Sequence, residues 1–342
     1  MYSAQQDLFR FDPELGGGFA GRRVLITGAG RDGGIGQAFA LTAGLNGAES
    51  VGVHFHRSYE DGFDLVKRLQ AEGVNAFPLQ ADVTNLRDLW ATRSYVIEQM
   101  GGLPPNLVIC NSGLTERGYT FGRALRAIDD EPTAIRRARV RQHFIDSLEE
   151  SRTVLDTKID GFLATTHLWA GEAIHHSEPV RFVYVSSRQA IDPGPSVPGY
   201  AISNWAVLQL PAVLKVNLGS ASEYASCLSV LFPFVRTGMT NEYAENERVY
   251  GRWQPRMLEP HECAEAFAQL LSRPADETDL GMYELLVESP DGTAGGEGAG
   301  QVTAAGATEE EATAAVRVVW KQVRLDVTEH ELPWSEQTAL RF

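Results

Sequence analysis

The sequence is short of cysteine, of positive charge and of long hydrophobic runs, and each shortage excludes a class of protein. Its three cysteines, Cys110, Cys227 and Cys263, form no CxxC pair, which argues against a disulfide scaffold and a cysteine-based zinc site. The 30 Lys+Arg against 45 Asp+Glu give a formal charge of −15, which argues against a nucleic-acid partner. No apolar run reaches the ~20 residues that span a bilayer, and residues 1–21 lack the basic region followed by an apolar region that is typical of a signal peptide. We therefore expect a soluble cytoplasmic protein without a metal or a membrane partner.

Short apolar runs alternate with longer helical segments along most of the 342 residues. The runs, rich in Val, Ile, Leu and Phe, cover residues 23–27, 50–55, 76–79, 106–110, 181–186 and 227–232. Most are apolar throughout rather than alternating with polar residues, which is typical of strands buried on both faces. The pattern predicts one α/β domain over residues 22–290, built on a doubly wound parallel sheet.

Three segments do not follow this alternation of apolar runs and helical segments. Residues 1–21 are polar and glycine-rich and are predicted to form an N-terminal arm. Residues 114–149 form an arginine-rich insertion, and connections of such length usually carry function or structure of their own. The C-terminal extension, residues 291–342, is predicted as a Gly/Ala linker, a helix over residues 308–321 and a tail, because three glutamates stand where the dipole of that helix favours acids.

A glycine-rich turn follows the first apolar run directly. Residues 27–36 read Thr-Gly-Ala-Gly-Arg-Asp-Gly-Gly-Ile-Gly, and a helical segment follows them. Glycines at this place permit a tight turn and let backbone N–H groups of the helix approach a pyrophosphate, although turns use glycine for other reasons as well. The arrangement predicts a Rossmann-type dinucleotide site. Its candidate residues are Gly28, Arg31, Gly34, Ile35 and Gly36, preferred over Gly30 and Gly33.

The end of the second run suggests which dinucleotide is bound. A free ribose 2′-hydroxyl is matched by a carboxylate at this point, whereas a 2′-phosphate is matched by positive charge and hydroxyls. Arg57 and Ser58 supply the second combination, with no acid before Glu60. NADPH is therefore favoured over NADH, with a merely solvated arginine as the alternative.

The order of motifs resembles the short-chain dehydrogenase/reductase family over roughly residues 21–286. Besides the glycine turn, the resemblance is carried by Asp82-Val83, by Asn111-Ser112-Gly113, by Ser187 with Tyr200 thirteen residues later, and by residues 233–237. In that family the aspartate faces the adenine, the Asn-Ala-Gly segment supports the central sheet, and the last segment contacts nicotinamide and pyrophosphate. The resemblance implies cofactor contacts from Asp82, Val83, Asn111, Ser112, Gly113, Pro233, Val235 and Thr237.

The family's usual Tyr-x-x-x-Lys pattern is broken here. Asn204 stands where the lysine is expected, and Lys158 stands where ordinary members carry an asparagine. This exchange resembles the ketoreductases of modular polyketide synthases and animal-type fatty acid synthases, in which the lysine reaches the same space from the neighbouring helix. A solvated Lys158 and a chance loss of the lysine at position 204 are the alternative.

The resemblance implies roles for four residues. Tyr200 would donate a proton to the substrate carbonyl, and Ser187 would hydrogen-bond the same oxygen. Lys158 would lower the pKa of Tyr200, while Asn204 would orient Lys158 or a relay water. The implied reaction is NADPH-dependent reduction of a 3-oxoacyl thioester on an acyl carrier protein, in polyketide or fatty acid biosynthesis. The alternatives are a reductase or dehydrogenase of a free small ketone or alcohol, and a catalytically silent cofactor-binding scaffold.

Some positions depart from these relatives. The glycine turn is about two residues longer than usual, and Phe234 replaces a glycine after Pro233. Leu114-Thr115-Glu116 and Asp192 stand roughly where modular ketoreductases carry their stereochemical fingerprints. The handedness of the product alcohol is therefore left open.

Partners are suggested by charge and by the family's habits. Carrier proteins are acidic, so a basic patch would be needed for docking. The insertion supplies candidates in Arg117, Arg123, Arg126, Arg136, Arg137, Arg139 and Arg141. An amphipathic helical pair and a subunit interface are the other interpretations of this segment. We expect a homo-oligomer, dimer or tetramer, with a tail (Trp320, Trp334 and residues 340–342) that could reach a partner subunit.

Overall fold

One sheet contains all eight strands in the described part of the chain. The computed structural model describes residues 6–116, 128, 131–194, 197–241, 244–251, 253–288 and 317–324. The strands are β1 (Arg23–Ile26), β2 (Ser50–Phe55), β3 (Ala76–Gln80), β4 (Leu107–Cys110), β5 (Val180–Ser187), β6 (Ala225–Phe232), β7 (Met282–Glu288) and β8 (Arg317–Val323). Their spatial order is β3-β2-β1-β4-β5-β6-β7-β8, with β1 to β7 parallel and β8 antiparallel to β7.

The doubly wound parallel sheet is confirmed, and β1 to β6 coincide with the six apolar runs. The strand order reverses between β1 and β4, which opens a crevice at the carboxyl ends of the strands. The sequence analysis missed β7, whose buried centre is interrupted by the polar Glu284.

Helices cover both faces of the sheet. They are α1 (Pro13–Gly16), α2 (Ile35–Leu45), α3 (Tyr59–Ala71), α4 (Leu86–Gln99), α5 (Thr133–Leu155), α6 (Gly161–His176), α7 (Pro198–Val207), α8 (Leu210–Leu218), α9 (Glu247–Tyr250), α10 (Pro260–Ser272) and α11 (Ala275–Thr278). One core packs α2, α3 and α10 against the sheet, and a second packs α4, α6, α7 and α8 against the other face. A π-helical turn, Asp156–Asp160, joins α5 to α6. No helix of the described ranges is long and apolar enough to cross a membrane.

The prediction of an N-terminal arm over residues 1–21 is wrong for the described residues 6–21. Phe9 and Phe19 are fully buried in the core beside α2 and α10, and the ring of Phe19 lies 6.3 Å from that of Phe267. The Asn46 amide donates to the carbonyl oxygen of Phe9 at 2.7 Å. Two phenylalanines thus anchor to the core a segment that its polar, glycine-rich composition predicted to be an arm.

The prediction of a C-terminal helix over residues 308–321 is wrong where it can be checked. The described residues Arg317–Val323 form β8, which pairs with the edge strand β7. β-Branched valines favour a strand, and pairing with an open edge overrides helical composition. Trp320 packs 5.8 Å from the ring of Phe232 and donates to the carbonyl oxygen of Ala266 at 2.6 Å, so it covers this chain's own core rather than reaching a partner. The linker, Trp334 and residues 340–342 lie outside the described residues.

Residues 133–149 of the insertion belong to α5. Only Val154 is buried in this 23-residue helix, so most of its surface faces solvent. Arg136, Arg137 and Arg141 are exposed, whereas Arg139 pairs with Glu131 at 2.9 Å. Arg117, Arg123 and Arg126 lie outside the described residues.

Candidate active site

A cavity of about 480 Å³ opens at the carboxyl ends of the parallel strands. This is where ligands bind in doubly wound sheets, because the strand order reverses there. Its lining includes every candidate site residue except Asn204, which is fully buried just behind it. The structure therefore brings the predicted residues together from segments up to about two hundred residues apart.

Three glycines of the turn have no room for a side chain. Gly28 has φ of +68°, and a Cβ there would lie 2.8 Å from the Cα of Ser112. A Cβ on Gly36 would lie 2.5 Å from the carbonyl oxygen of Gly28 and 2.6 Å from the Asn111 amide. Gly30, ranked lower by the sequence analysis, is equally constrained, because its Cβ would overlap Phe55 and approach Ser58. The bare backbone at the start of α2 fits a dinucleotide pyrophosphate.

Asn111 fastens β4 to this turn. Its amide donates to the carbonyl oxygens of Thr27 and Gly28 at 3.2 and 3.1 Å. The Thr27 hydroxyl accepts the N–H groups of Asn111 and Ser112 at 3.0 and 3.1 Å. Asn111 and Ser112 thereby hold the turn in shape as well as lining the cavity.

Arg31 spans the cavity from the glycine turn to the loop after β6. A Cβ on Gly238 would lie 2.9 Å from its Nε and 3.1 Å from its Cζ, so the guanidinium rests on Gly238. Pro233, Val235 and Thr237 line the same wall, where Val235 bridges to Leu258. The two additional residues of the turn allow an arginine to bridge the two loops, which places positive charge over the space between them.

The end of β2 forms another wall. Arg57 and Ser58 line the cavity beside Asp82 and Val83. Partial burial tends to raise the pKa of Asp82, but hydrogen bonds from Thr84 and the nearby His56 and Arg57 outweigh it and leave the pKa below its usual value. Complete burial lowers the pKa of His54 to about 4, so the ring is neutral at pH 7 and its Nδ1 accepts the N–H of Gly28 at 3.3 Å.

Ser187 and Tyr200 meet at the other end of the cavity. Burial raises the pKa of the Tyr200 phenol, and its hydrogen bond with Ser187 lowers it in part. The predicted lowering of this pKa by Lys158 is therefore not confirmed, since the pKa lies above its usual value and only Ser187 opposes the rise. Ser187 ends β5, and Tyr200 lies in the first turn of α7. The neighbouring Ser186 instead donates to the carbonyl oxygen of Asn204 at 2.9 Å. The choice of Ser187 by spacing thus agrees with the geometry.

Lys158 lies in the π-helical turn between α5 and α6, and it is 5% exposed. Such turns insert an extra residue into a helix and are frequent at functional sites. The Nζ donates to the carbonyl oxygen of Val185 at 2.6 Å and lies 4.7 Å from the centre of the Phe162 ring. Burial lowers the pKa of Lys158 to about 7. Its burial in the cavity that Ser187 and Tyr200 also line excludes the alternative of a solvated lysine.

The predicted contact between Asn204 and Lys158 is not formed. The Asn204 amide donates to the carbonyl oxygen of Tyr200, one helical turn back, at 2.8 Å. Its Oδ1 is buried and has no hydrogen-bond partner among the described residues. The lysine is instead held by β5, because the π-helical turn directs its Nζ to Val185.

One buried carboxylate was missed as a functional candidate. Glu116 is 4% exposed and accepts the backbone N–H groups of Gly199 and Tyr200. In the sequence it stands out only as an acid three residues beyond Asn111-Ser112-Gly113. No local pattern links it to residues 83 and 84 positions later.

A known family matches this chain over about two thirds of its length. The family model described as short chain dehydrogenase covers residues 22–248. The chain belongs to the short-chain dehydrogenase family. Members of this family are oxidoreductases that bind NAD(P), and the fold expected from the glycine turn is that of the chain's structural neighbours.

Individual relatives are distant. Versicolorin reductase 1 of Dothistroma septosporum is 28% identical over 186 residues, covering 54% of this chain and 62% of its own length. The 3-oxoacyl-[acyl-carrier-protein] reductase of Staphylococcus aureus is 33% identical over 94 residues, 28% of this chain and 36% of its own. The chain thus spans less than two thirds of these relatives.

A solved structure shares the fold. A short-chain dehydrogenase from Burkholderia cenocepacia in complex with NADP has a TM-score of 0.61 and 19% identity, covering 78% of this chain and 96% of its own. At this identity, the similarity between the two structures shows a shared fold and nothing further. Within the described ranges, no three His, Cys, Asp or Glu side chains converge as a metal site would require.

Proposed function

We propose that this member of the family reduces a 3-oxoacyl thioester, carried on an acyl carrier protein, to the 3-hydroxyacyl thioester with NADPH in polyketide or fatty acid biosynthesis. The observation that supports the proposal is the buried Lys158, which lines the same cavity as Ser187 and Tyr200, while Asn204 stands at the family's usual lysine position. A non-enzyme would have no use for a buried cation at this place, since burial of an unpaired ammonium is costly.

The residues of the cavity fit NADPH. The glycine turn and Arg31 would hold the pyrophosphate, Arg57 and Ser58 the 2′-phosphate, and Asp82 the adenine side. When bound, the nicotinamide supplies a hydride to the carbonyl carbon of the substrate. Thr237 and Val235 border the wall that this end of the cofactor would face.

Side chains of this protein bind and protonate the carbonyl oxygen of the substrate in the proposed reaction. Tyr200 donates its phenolic proton to that oxygen as negative charge develops, so that no free alkoxide forms. Ser187, already hydrogen-bonded to Tyr200, donates to the same oxygen and aligns it. Burial opposes formation of the Tyr200 phenolate, and the ammonium of Lys158, which lines the same cavity, would offset part of that cost. The Oδ1 of Asn204, which has no partner among the described residues, would be the acceptor for a relay water that returns the proton.

Carrier docking is proposed at the exposed face of α5. Arg136, Arg137 and Arg141 give it positive charge in an otherwise acidic chain, and the helix runs directly into the π-helical turn that bears Lys158. Acidic carrier proteins complement such a patch. Replacing Arg136 and Arg137 by Glu should raise KM for a carrier-bound substrate about tenfold and leave KM for a small ketone unchanged. Equal changes in both would overturn the docking site.

The reaction is tested by oxidation of reduced nicotinamide in the presence of a 3-oxoacyl thioester of N-acetylcysteamine, with a free ketone of matched chain length as the comparison substrate. We expect a higher kcat/KM for the thioester, and a further increase when the same chain is attached to a carrier protein. Turnover of the free ketone alone would contradict the proposal and support a reductase of a small ketone or alcohol. The name of one relative, versicolorin reductase 1, is consistent with that alternative. Cofactor binding without turnover of either would support the silent scaffold.

We also propose a homo-oligomer assembled through α7 and α8. Ile202, Trp205, Val213 and Val216 are between 46% and 81% exposed on these two helices, an unusual density of large apolar groups. Trp205→Glu should dissociate the assembly in sedimentation equilibrium. A monomeric wild type at the highest concentrations would contradict this proposal.

A further inference from the structure

Helix α7, which carries Tyr200, begins without a local cap. Its N-cap residue is Val197, whose side chain has no acceptor, and Pro198 at the first position has no N–H group. The next two N–H groups, on Gly199 and Tyr200, have no partner within the helix. A buried helix start of this kind needs acceptors from elsewhere in the chain.

Glu116 supplies those acceptors from the start of the insertion. Its Oε1 accepts the N–H of Gly199 at 2.5 Å and the hydroxyl of Ser151 at 3.0 Å. Its Oε2 accepts the N–H of Tyr200 at 3.1 Å. A carboxylate at a helix N-terminus also interacts favourably with the helix dipole. One buried side chain therefore joins α7 to α5, where Ser151 lies.

The contact between these two helices has no spare volume. A Cβ on Gly199 would lie 2.5 Å from Glu116 Oε1 and 3.0 Å from both the Cα and the carbonyl oxygen of Ser151. The separation of α7 from α5 is thus fixed by the absence of a side chain at Gly199 and by the carboxylate beside it. Seven residues beyond Ser151, the chain of α5 reaches Lys158.

We propose that Glu116 is a positioning residue that sets the place of the Tyr200 hydroxyl relative to Ser187 and Lys158. It does so by fixing the helix that bears Tyr200 to the helix that leads into Lys158, without touching substrate or cofactor itself. The proposal rests on the proposed function in taking Tyr200 as the proton donor. It gives the acid in the Leu114-Thr115-Glu116 segment an internal role, because its oxygens are occupied by Gly199, Tyr200 and Ser151.

The test compares Glu116→Ala, Glu116→Gln and Ser151→Ala with the wild type. Loss of alignment at reacting groups costs about 100-fold in rate. We expect Glu116→Ala to lower kcat by that factor while the Kd of NADPH stays within about twofold, because the cofactor wall is untouched. Glu116→Gln keeps the shape of the side chain and one acceptor oxygen, so its kcat should lie between those of the wild type and Glu116→Ala. Ser151→Ala removes the hydroxyl that ties Glu116 to α5 but leaves both α7 contacts, so its kcat should fall by about fivefold, less than that of Glu116→Ala.

Two further variants keep the test decisive if Glu116→Ala fails to fold. Gly199→Ala retains the carboxylate but forces it away from α7, so it should reproduce the loss of kcat and the unchanged cofactor affinity. Glu172→Gln is the matched control, since Glu172 is also a buried carboxylate but pairs with Arg93 away from the cavity. Its kcat should stay within about twofold of the wild type.

Hydrogen exchange separates this proposal from the proposed function. Glu116→Ala should speed amide exchange in a peptide covering residues 198–207 and leave exchange in β1 and α2 unchanged, whether or not a substrate is known. A wild type that turns over no 3-oxoacyl thioester would count against the proposed function alone. A wild-type kcat in Glu116→Ala, or a loss of kcat matched by an equal loss of NADPH affinity, would overturn the role of Glu116.

Discussion

The two ends of the cavity are built in different ways. The end formed by β1, β2 and β4 consists of backbone and of residues that follow a strand directly, such as Arg57 after β2 and Asn111 after β4. The end around Tyr200 is assembled from side chains on the π-helical turn, β5 and α7, which meet only in the folded chain. Local motifs thus specify the first end, and long-range packing specifies the second. Damage to the first should change cofactor affinity, and damage to the second should change the rate of reduction.

The largest effect is expected from Tyr200→Phe. Removal of the proton donor should lower kcat about 10³-fold, while the Kd of NADPH is retained because the ring still fills its place. The rate is measured by oxidation of reduced nicotinamide and the affinity by quenching of its fluorescence. Tyr184→Phe is the control, since Tyr184 is a buried tyrosine on β5 whose hydroxyl contacts Thr166 at 3.1 Å. Comparable losses in both variants would show that the rate depends on packing rather than on the Tyr200 hydroxyl.

Lys158→Met should come next, with a loss of about 100-fold in kcat near neutral pH. The pKa of Lys158 in the folded chain is about 7, below its usual value because of burial. The ammonium is therefore present below that pH and is lost as the pH rises through it. We expect kcat/KM of the wild type to fall above about pH 7, and this limb to be missing in the variant. Lys215→Met, which removes a lysine paired with Asp279, should keep the wild-type profile; a limb that persists in Lys158→Met would assign it to another group.

Arg57→Glu should have the smallest effect, and it should change the KM for the cofactor rather than kcat. Reversal of charge at the end of β2 should raise KM for NADPH about tenfold and leave kcat within about twofold, because one charged contact with the 2′-phosphate is lost. KM for NADH should not rise. Arg87→Glu, an exposed arginine on α4, serves as the control for net charge. An equal rise for both cofactors would mean that Arg57 does not contact the 2′-phosphate.

The sequence predicted most of the sheet and the cofactor end, because their signals are local. Continuous apolar runs gave β1 to β6, and the glycine turn located the crevice. Phe9, Phe19 and β8 were missed because their burial depends on partners far along the chain, and composition favoured solvent or a helix for those segments. Glu116 was missed for the same reason: nothing in Leu114-Thr115-Glu116 indicates that its carboxylate meets the start of α7.

The exchange of Lys158 and Asn204 lies between these cases. The resemblance to polyketide and fatty acid synthase ketoreductases implied that the lysine reaches the Tyr200 space from another helix, and Lys158 is buried in the cavity that Tyr200 lines. The partner of its Nζ could not be predicted, because the π-helical turn that directs it to the Val185 carbonyl has no sequence signature of its own. The cation's presence was predictable, and its hydrogen bond was not.

The most direct test is to reverse that exchange. Four enzymes are compared for kcat with a 3-oxoacyl thioester at saturating NADPH: wild type, Lys158→Asn, Asn204→Lys, and the double variant carrying both changes. We predict that Lys158→Asn loses about 100-fold and that the double variant recovers at least about tenfold of this loss, since a cation again reaches the same space. A Lys158→Asn enzyme with the wild-type rate would contradict the account.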